Sequence, residues 1–88
     1  MTNAQWITCP SNTYTRIWAF PTFGPWLTVW TSGSGTVNVL WNEYSANPPF
    51  SISGSVNVGP TGRVGVGPPS PWVELWIRPA VAGNFRAS

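Results

Sequence analysis

Trp72-Val73-Glu74-Leu75-Trp76-Ile77-Arg78, enclosed by Pro71 and Pro79, alternates strictly between two kinds of residue. Val73, Leu75 and Ile77 are aliphatic, whereas Trp72, Glu74, Trp76 and Arg78 are aromatic or charged. Successive side chains of a β-strand point to opposite sides, so a period of two predicts a strand with one face in a core. The flanking prolines bound the segment, because proline has no N–H to give to a sheet ladder. Charged side chains are rarely buried unless paired. The Trp72, Glu74, Trp76, Arg78 face is therefore expected to meet solvent or a partner.

The same punctuation recurs outward along the chain. Short β-branched and aromatic runs lie between Pro and Gly clusters, and no Pro-free window carries a helical apolar period. Strands are expected at Gln5–Thr8, Tyr14–Phe20, Trp26–Thr31, Thr36–Asn42, Phe50–Val58, Arg63–Val66 and Trp72–Arg78. About seven short antiparallel strands in 88 residues predict an all-β chain: one compact domain over 1–88, folded as a β-sandwich or jelly-roll-like structure. Asn47-Pro48-Pro49 and Gly59-Pro60-Thr61-Gly62 read as turns, and Gly67-Pro68-Pro69-Ser70-Pro71 as a stiff connector. Residues 1–5 are expected to order on assembly, and 80–88 to form a last short strand or a tail that orders on a partner.

Trp26–Thr31 and Thr36–Asn42 flank Ser32-Gly33-Ser34-Gly35, which reads as the tip of a hairpin. Pairing Thr31 with Thr36 would put Trp26, Thr28, Trp30, Val37, Val39 and Trp41 on one face. That face is expected to be core, and a slip of one residue would invert it. In Tyr14–Phe20, Arg16 alternates with Tyr14, Trp18 and Phe20. Arg beside aromatic residues is the composition of interface hot spots. The expected interface residues are therefore Trp18, Trp72 and Trp76 as anchors, with Arg16, Arg78 and Glu74. Trp26, Trp30 and Trp41 are assigned to the core, and Trp6 to neither class.

The composition narrows the chemistry. Seven residues are Trp, and there is no His, Asp or Lys. That removes most side chains that transfer protons, bind metals or form Schiff bases. Cys9 stands alone, so no disulfide can form within the chain, which fits a reducing compartment. Glu43 and Glu74 are the only carboxylate side chains and are distant in sequence. They read as a loop-edge carboxylate and an ion-pair or interface carboxylate rather than a glycosidase pair. Gly62-Arg63-Val64-Gly65-Val66-Gly67 precedes no helix and reads as a strand of small residues rather than a phosphate cradle. No catalytic residue, cofactor or metal site is expected, and the chain is not expected to be an enzyme.

Charged residues make up 7% of the chain, against about 25% in typical globular proteins. Such a surface, rich in Trp, is expected to be covered by other subunits. Four Arg against two Glu form no basic run, so no nucleic-acid partner is expected. The polar start, Thr2-Asn3-Ala4-Gln5, predicts no signal peptide, and no apolar run is long enough for a membrane helix. The alternative to an assembly subunit is a carbohydrate-binding or host-recognition module, with sugar rings on exposed Trp and Asn38, Asn42, Glu43 and Asn57 as polar partners.

The stretch Trp26–Trp41, with its Gly/Ser tip, and the late strand Pro71–Gly83 resemble small β-sandwich accessory proteins of tailed bacteriophage particles. Capsid decoration (cement) proteins are among these. The resemblance covers roughly half the chain and rests on a pattern rather than a catalytic motif. It implies a non-enzymatic virion protein that is assembled in the host cytoplasm. Its partners would be the major capsid protein or other virion subunits, and it would itself form a homo-oligomer such as a trimer.

Overall fold

The alternation in 73–79 is realised in space. The computed structural model describes residues 5–19, 26–32, 35–43, 51–59, 62–69 and 72–88. In it Val73, Leu75 and Ile77 are fully shielded from solvent, while Trp72 remains half exposed. The strands are β1 (Ile7–Cys9), β2 (Thr15–Ala19), β3 (Leu27–Thr31), β4 (Gly35–Glu43), β5 (Ser51–Val58), β6 (Arg63–Val66), β7 (Val73–Pro79) and β8 (Gly83–Ala87). Met1–Ala4, Phe20, Gly33-Ser34, Asn47-Pro48-Pro49, Pro60-Thr61 and Ser70-Pro71 lie outside the described residues, with the readings made of them.

All pairings are antiparallel, in two sheets. Sheet I has the order β1-β8-β3-β6 and sheet II the order β2-β7-β4-β5. Thus β1 lies beside β8, β3 beside β6, β2 beside β7, and β4 beside β5. This is a ribbon of strand pairs wrapped into two sheets, the jelly roll. The eighth strand is the last one: residues 83–87 pair with β1 and β3 of their own chain. Between the sheets lie Cys9, Ile17, Leu27, Val29, Val37, Val39, Trp41, Val58, Val66, Val73, Leu75, Ile77, Phe85 and Ala87. Each large aliphatic side chain buried there contributes about 1.5–3 kcal/mol of transfer free energy. Among the described residues no helix is long and apolar enough to cross a membrane.

The expected hairpin does not form. β3 pairs with β6 and β8 in sheet I, whereas β4 pairs with β5 and β7 in sheet II. The chain changes layer between Ser32 and Gly35. Four residues reach roughly 13 Å, enough for the roughly 10 Å between packed sheets. The two strands therefore choose their inward faces independently. β4 buries Val37, Val39 and Trp41, as expected. β3 buries Leu27 and Val29 instead of Trp26 and Trp30, so the core assignment of those two Trp is corrected. Two aliphatic residues fit the thin interlayer, where two indoles and the Thr28 hydroxyl would each need room or a polar partner.

A second correction comes from β2. Arg16 sits opposite Trp76, but Trp18 sits opposite Leu75, so Ile17 is an extra residue. Such a bulge breaks the alternation that places Arg16 and Trp18 on one face. Ile17 is fully buried, and Trp18 also packs against the core. Arg16 alone of the two stays on the outer side.

Candidate functional site

The outer face of sheet II carries most of the interface residues expected from sequence. Register aligns Arg16, Trp76, Leu40 and Ser53 in one row across the four strands. Neighbouring rows hold Glu74, Asn42 and Ser51, and Arg78, Asn38 and Ser55. The polar groups are largely occupied with one another. Arg16 Nη1 donates to Glu74 Oε2 at 2.5 Å. With the Asn38 amide oriented to satisfy both groups, its oxygen accepts from Arg78 Nε at 3.2 Å and Nη2 at 2.5 Å. The Arg78 guanidinium also lies 5.2 Å from the centre of the Tyr14 ring. Ser51 Oγ donates to Asn42 Oδ1 at 2.6 Å. Trp76 is partly covered and its indole nitrogen is buried without an acceptor. Trp72 stands exposed at the head of β7. The structure thus brings Arg16, Glu74, Trp76 and Arg78 together and leaves Trp18 on the core side.

Sheet I presents a different surface. Thr28 and Trp30 on β3, Arg63 and Gly65 on β6, and Asn84 and Arg86 on β8 share its outer side with Thr8 of β1, opposite Leu27, Val29, Val66, Phe85 and Ala87. One row runs Arg86, Trp30, Arg63 across β8, β3 and β6, and Trp6, just before β1, lies against Arg86. The Arg86 guanidinium lies 5.1 Å from the centre of Trp6 and 5.1 Å from that of Trp30. Arg63 lies 5.5 Å from Trp30. Cations at such distances are attracted to the ring faces by about 0.5–1 kcal/mol each when exposed. The Trp30 indole N–H donates to Ser88 Oγ at 2.9 Å, which fixes the ring. Ser88 is held by paired backbone hydrogen bonds to Thr28 at 2.9 and 3.0 Å.

Trp26 extends this ladder and is 68% exposed. The Trp26 ring lies over Gly65 of β6, where an added Cβ would meet it at 3.6 Å, an ordinary van der Waals contact. Trp6 is 51% exposed at the opposite edge. Three Trp and two Arg therefore form one surface on sheet I.

Charge separates the two faces. Arg16, Arg78, Glu43 and Glu74 all belong to strands of sheet II, and Arg63 and Arg86 to sheet I. Sheet II sums to zero, and the whole formal charge of +2 resides on sheet I. Among the described residues neither sheet I arginine has an ion-pair partner, and Arg86 Nε is buried without an acceptor.

The remaining candidates for chemistry are few. Burial pushes the Cys9 thiol up to about 11, against a hydrogen bond with Thr15 that lowers it. A thiol so shielded is protonated at neutral pH and a poor nucleophile. Among the described residues no three metal-binding side chains come together. A cleft of about 130 Å³ opens between Thr31–Ser32, Gly35–Val37 and Pro79–Gly83, and its described lining carries no titratable side chain.

Sequence reading missed Trp6, Trp26, Trp30, Arg63 and Arg86 as a site. One signal was present: Asn84, Arg86 and Ser88 alternate with Phe85 and Ala87, and Trp26, Thr28 and Trp30 alternate with Leu27 and Val29. Each pattern marks an amphipathic strand, but neither says that the two strands adjoin. No family model, curated protein or solved structure matches this chain.

Proposed function

We propose that this chain is a non-enzymatic structural subunit of a larger assembly, in its most concrete form a decoration (cement) protein on the capsid of a tailed bacteriophage. The observation that carries the reading is the exposed Trp–Arg ladder on the outer face of sheet I. A sheet surface with three Trp and two Arg has the composition of a protein interface core, enriched in aromatic residues and Arg and free of Lys. Jelly rolls recur in viral capsids, and also in lectins. The fold by itself therefore decides nothing about function. The contact residues of this reading are Trp6, Trp26, Trp30, Arg63 and Arg86, with Trp72 at the head of β7. Self-association into a homo-oligomer belongs to the same reading and would use a surface other than the sheet I ladder.

The test is size-exclusion chromatography with light scattering, followed by co-sedimentation of the chain with undecorated capsid shells. A mass of several chains, or retention on the shells, supports the proposal. A chain that stays monomeric at all concentrations and sediments with no shell refutes it. A neutral glycan that quenches Trp emission at micromolar concentration would favour the carbohydrate-binding reading instead.

A further inference from the structure

We infer that the Trp6–Arg86–Trp30–Arg63 ladder is a docking site for an acidic segment of a different protein. That segment would set carboxylates against Arg86 and Arg63 and apolar side chains against Trp6 and Trp26. The inference rests on the assembly reading and names the chemistry of the partner.

Charge complementarity carries it. Sheet I holds two Arg and no acidic side chain, so the charged side chains of its strands are all positive. Arg86 and Arg63 lie on either side of β3, and each is just over 5 Å from the Trp30 ring. Two inter-strand spacings separate them, roughly 10 Å. Guanidinium groups lying against indole rings keep outward N–H groups for carboxylates, and arginine is suited to two-point bonding of that kind. The Trp30–Ser88 hydrogen bond holds the central ring in place before a partner arrives. Little ordering cost is then left for binding.

The same observations exclude other occupants. A second copy cannot present its own sheet I, because like charges would meet. Of the two acidic side chains in the sequence, Glu74 is already bonded to Arg16. A nucleic acid needs open aromatic faces along a strongly positive groove. Here open Trp faces exist at Trp6 and Trp26, but only two cations lie on the sheet, too few for such a groove. A neutral sugar would leave the two guanidinium charges of this face uncompensated.

The experiment titrates the full chain with an octapeptide alternating Glu and Leu, read by Trp fluorescence. Parallel titrations use the Gln–Leu analogue, an octameric oligothymidylate and a neutral oligosaccharide. The Glu peptide is expected to bind, with affinity falling about tenfold as ionic strength shortens the Debye length from about 10 Å to 3 Å. The Gln analogue is expected not to bind. Arg63→Gln should weaken the Glu peptide about fivefold or more, as expected for loss of a charge-assisted contact. Arg63 is exposed at the head of an edge strand, so that variant should keep the wild-type circular dichroism. Arg16→Gln, on the other sheet, should leave binding unchanged. Equal binding of the Gln analogue, tighter binding of the oligonucleotide or sugar, or indifference to Arg63→Gln would overturn the inference. Peptide binding by a chain that never joins an assembly supports the docking site and refutes the assembly reading. Assembly that survives Arg63→Gln without any peptide binding does the reverse.

Discussion

Trp41→Ala and Trp26→Ala, compared in one experiment, test the layer arrangement most directly. Both Trp belong to the expected hairpin face, yet the structure places them on opposite sides of different sheets. Trp41 is 5% exposed and stands on β4 between Ile52 of β5 and Leu75 of β7. Those neighbours belong to hydrogen-bonded strands and cannot collapse far into a vacated site. Truncation of a buried indole under such constraint costs about 3–5 kcal/mol. A domain of 88 residues has a total stability of roughly 4–13 kcal/mol. Trp41→Ala should therefore lower Tm by roughly 15–30 °C or leave the chain unfolded. Trp26 is 68% exposed and its described neighbour is the Gly65 backbone. Its removal should cost no more than about 1 kcal/mol, a fall in Tm of roughly 5 °C. Urea denaturation followed by far-UV circular dichroism measures both. If Trp26→Ala proves as damaging as Trp41→Ala, β3 faces the other way and the sheet I ladder does not exist.

Three further outcomes follow from particular contacts. Gly62 has φ of +71°, and an added Cβ would lie 2.8 Å from the Thr31 carbonyl oxygen, so Gly62→Ala should cost about 1–3 kcal/mol in a thermal melt; an unchanged melt would contradict that backbone placement. The Arg16–Glu74 pair is partly exposed, and a double-mutant cycle to Ala should return a coupling of only about 0.5–1 kcal/mol that shrinks with salt; a salt-independent coupling would mean that the pair is shielded from solvent. The raised Cys9 pKa means that the native state holds its proton more tightly than the unfolded chain. That contribution is fully present below about pH 9 and is lost as pH rises toward about 11. Stability should fall there by roughly 2–3 kcal/mol, and Cys9→Ala should flatten the slope in urea titrations at successive pH values. An equal slope in that variant would assign the loss to another group.

How much of this was legible in the sequence depended on whether a property is local. The strand at 73–79 could be read because its two faces differ in every residue, and the inward set, Val73, Leu75 and Ile77, is the one that is buried. The strand at 63–66 could be bounded because glycines flank it. Trp41 was placed in the core through its alternation with Val37 and Val39, which holds whichever strand lies alongside. The ladder was not legible. Its members come from β3, β6 and β8 and from the residues just before β1 and β3, which meet only through the order β1-β8-β3-β6. The bulge at Ile17 was equally hidden, since one extra residue leaves no mark in composition yet moves Trp18 to the other side.

The sequence by itself determined an all-β chain, because period-two alternation and frequent Pro and Gly admit no long helix. It also determined a chemistry poor in acids, bases and ligands, because residue types do not depend on folding. Only the tertiary structure decided which Trp face outward. β3 and β4 adjoin in sequence but belong to different layers, and the layer that a strand joins sets which of its faces meets the core. That choice buries Trp41, leaves Trp26 exposed, turns Trp30 outward against Arg63 and Arg86, and gathers the whole excess positive charge onto one sheet.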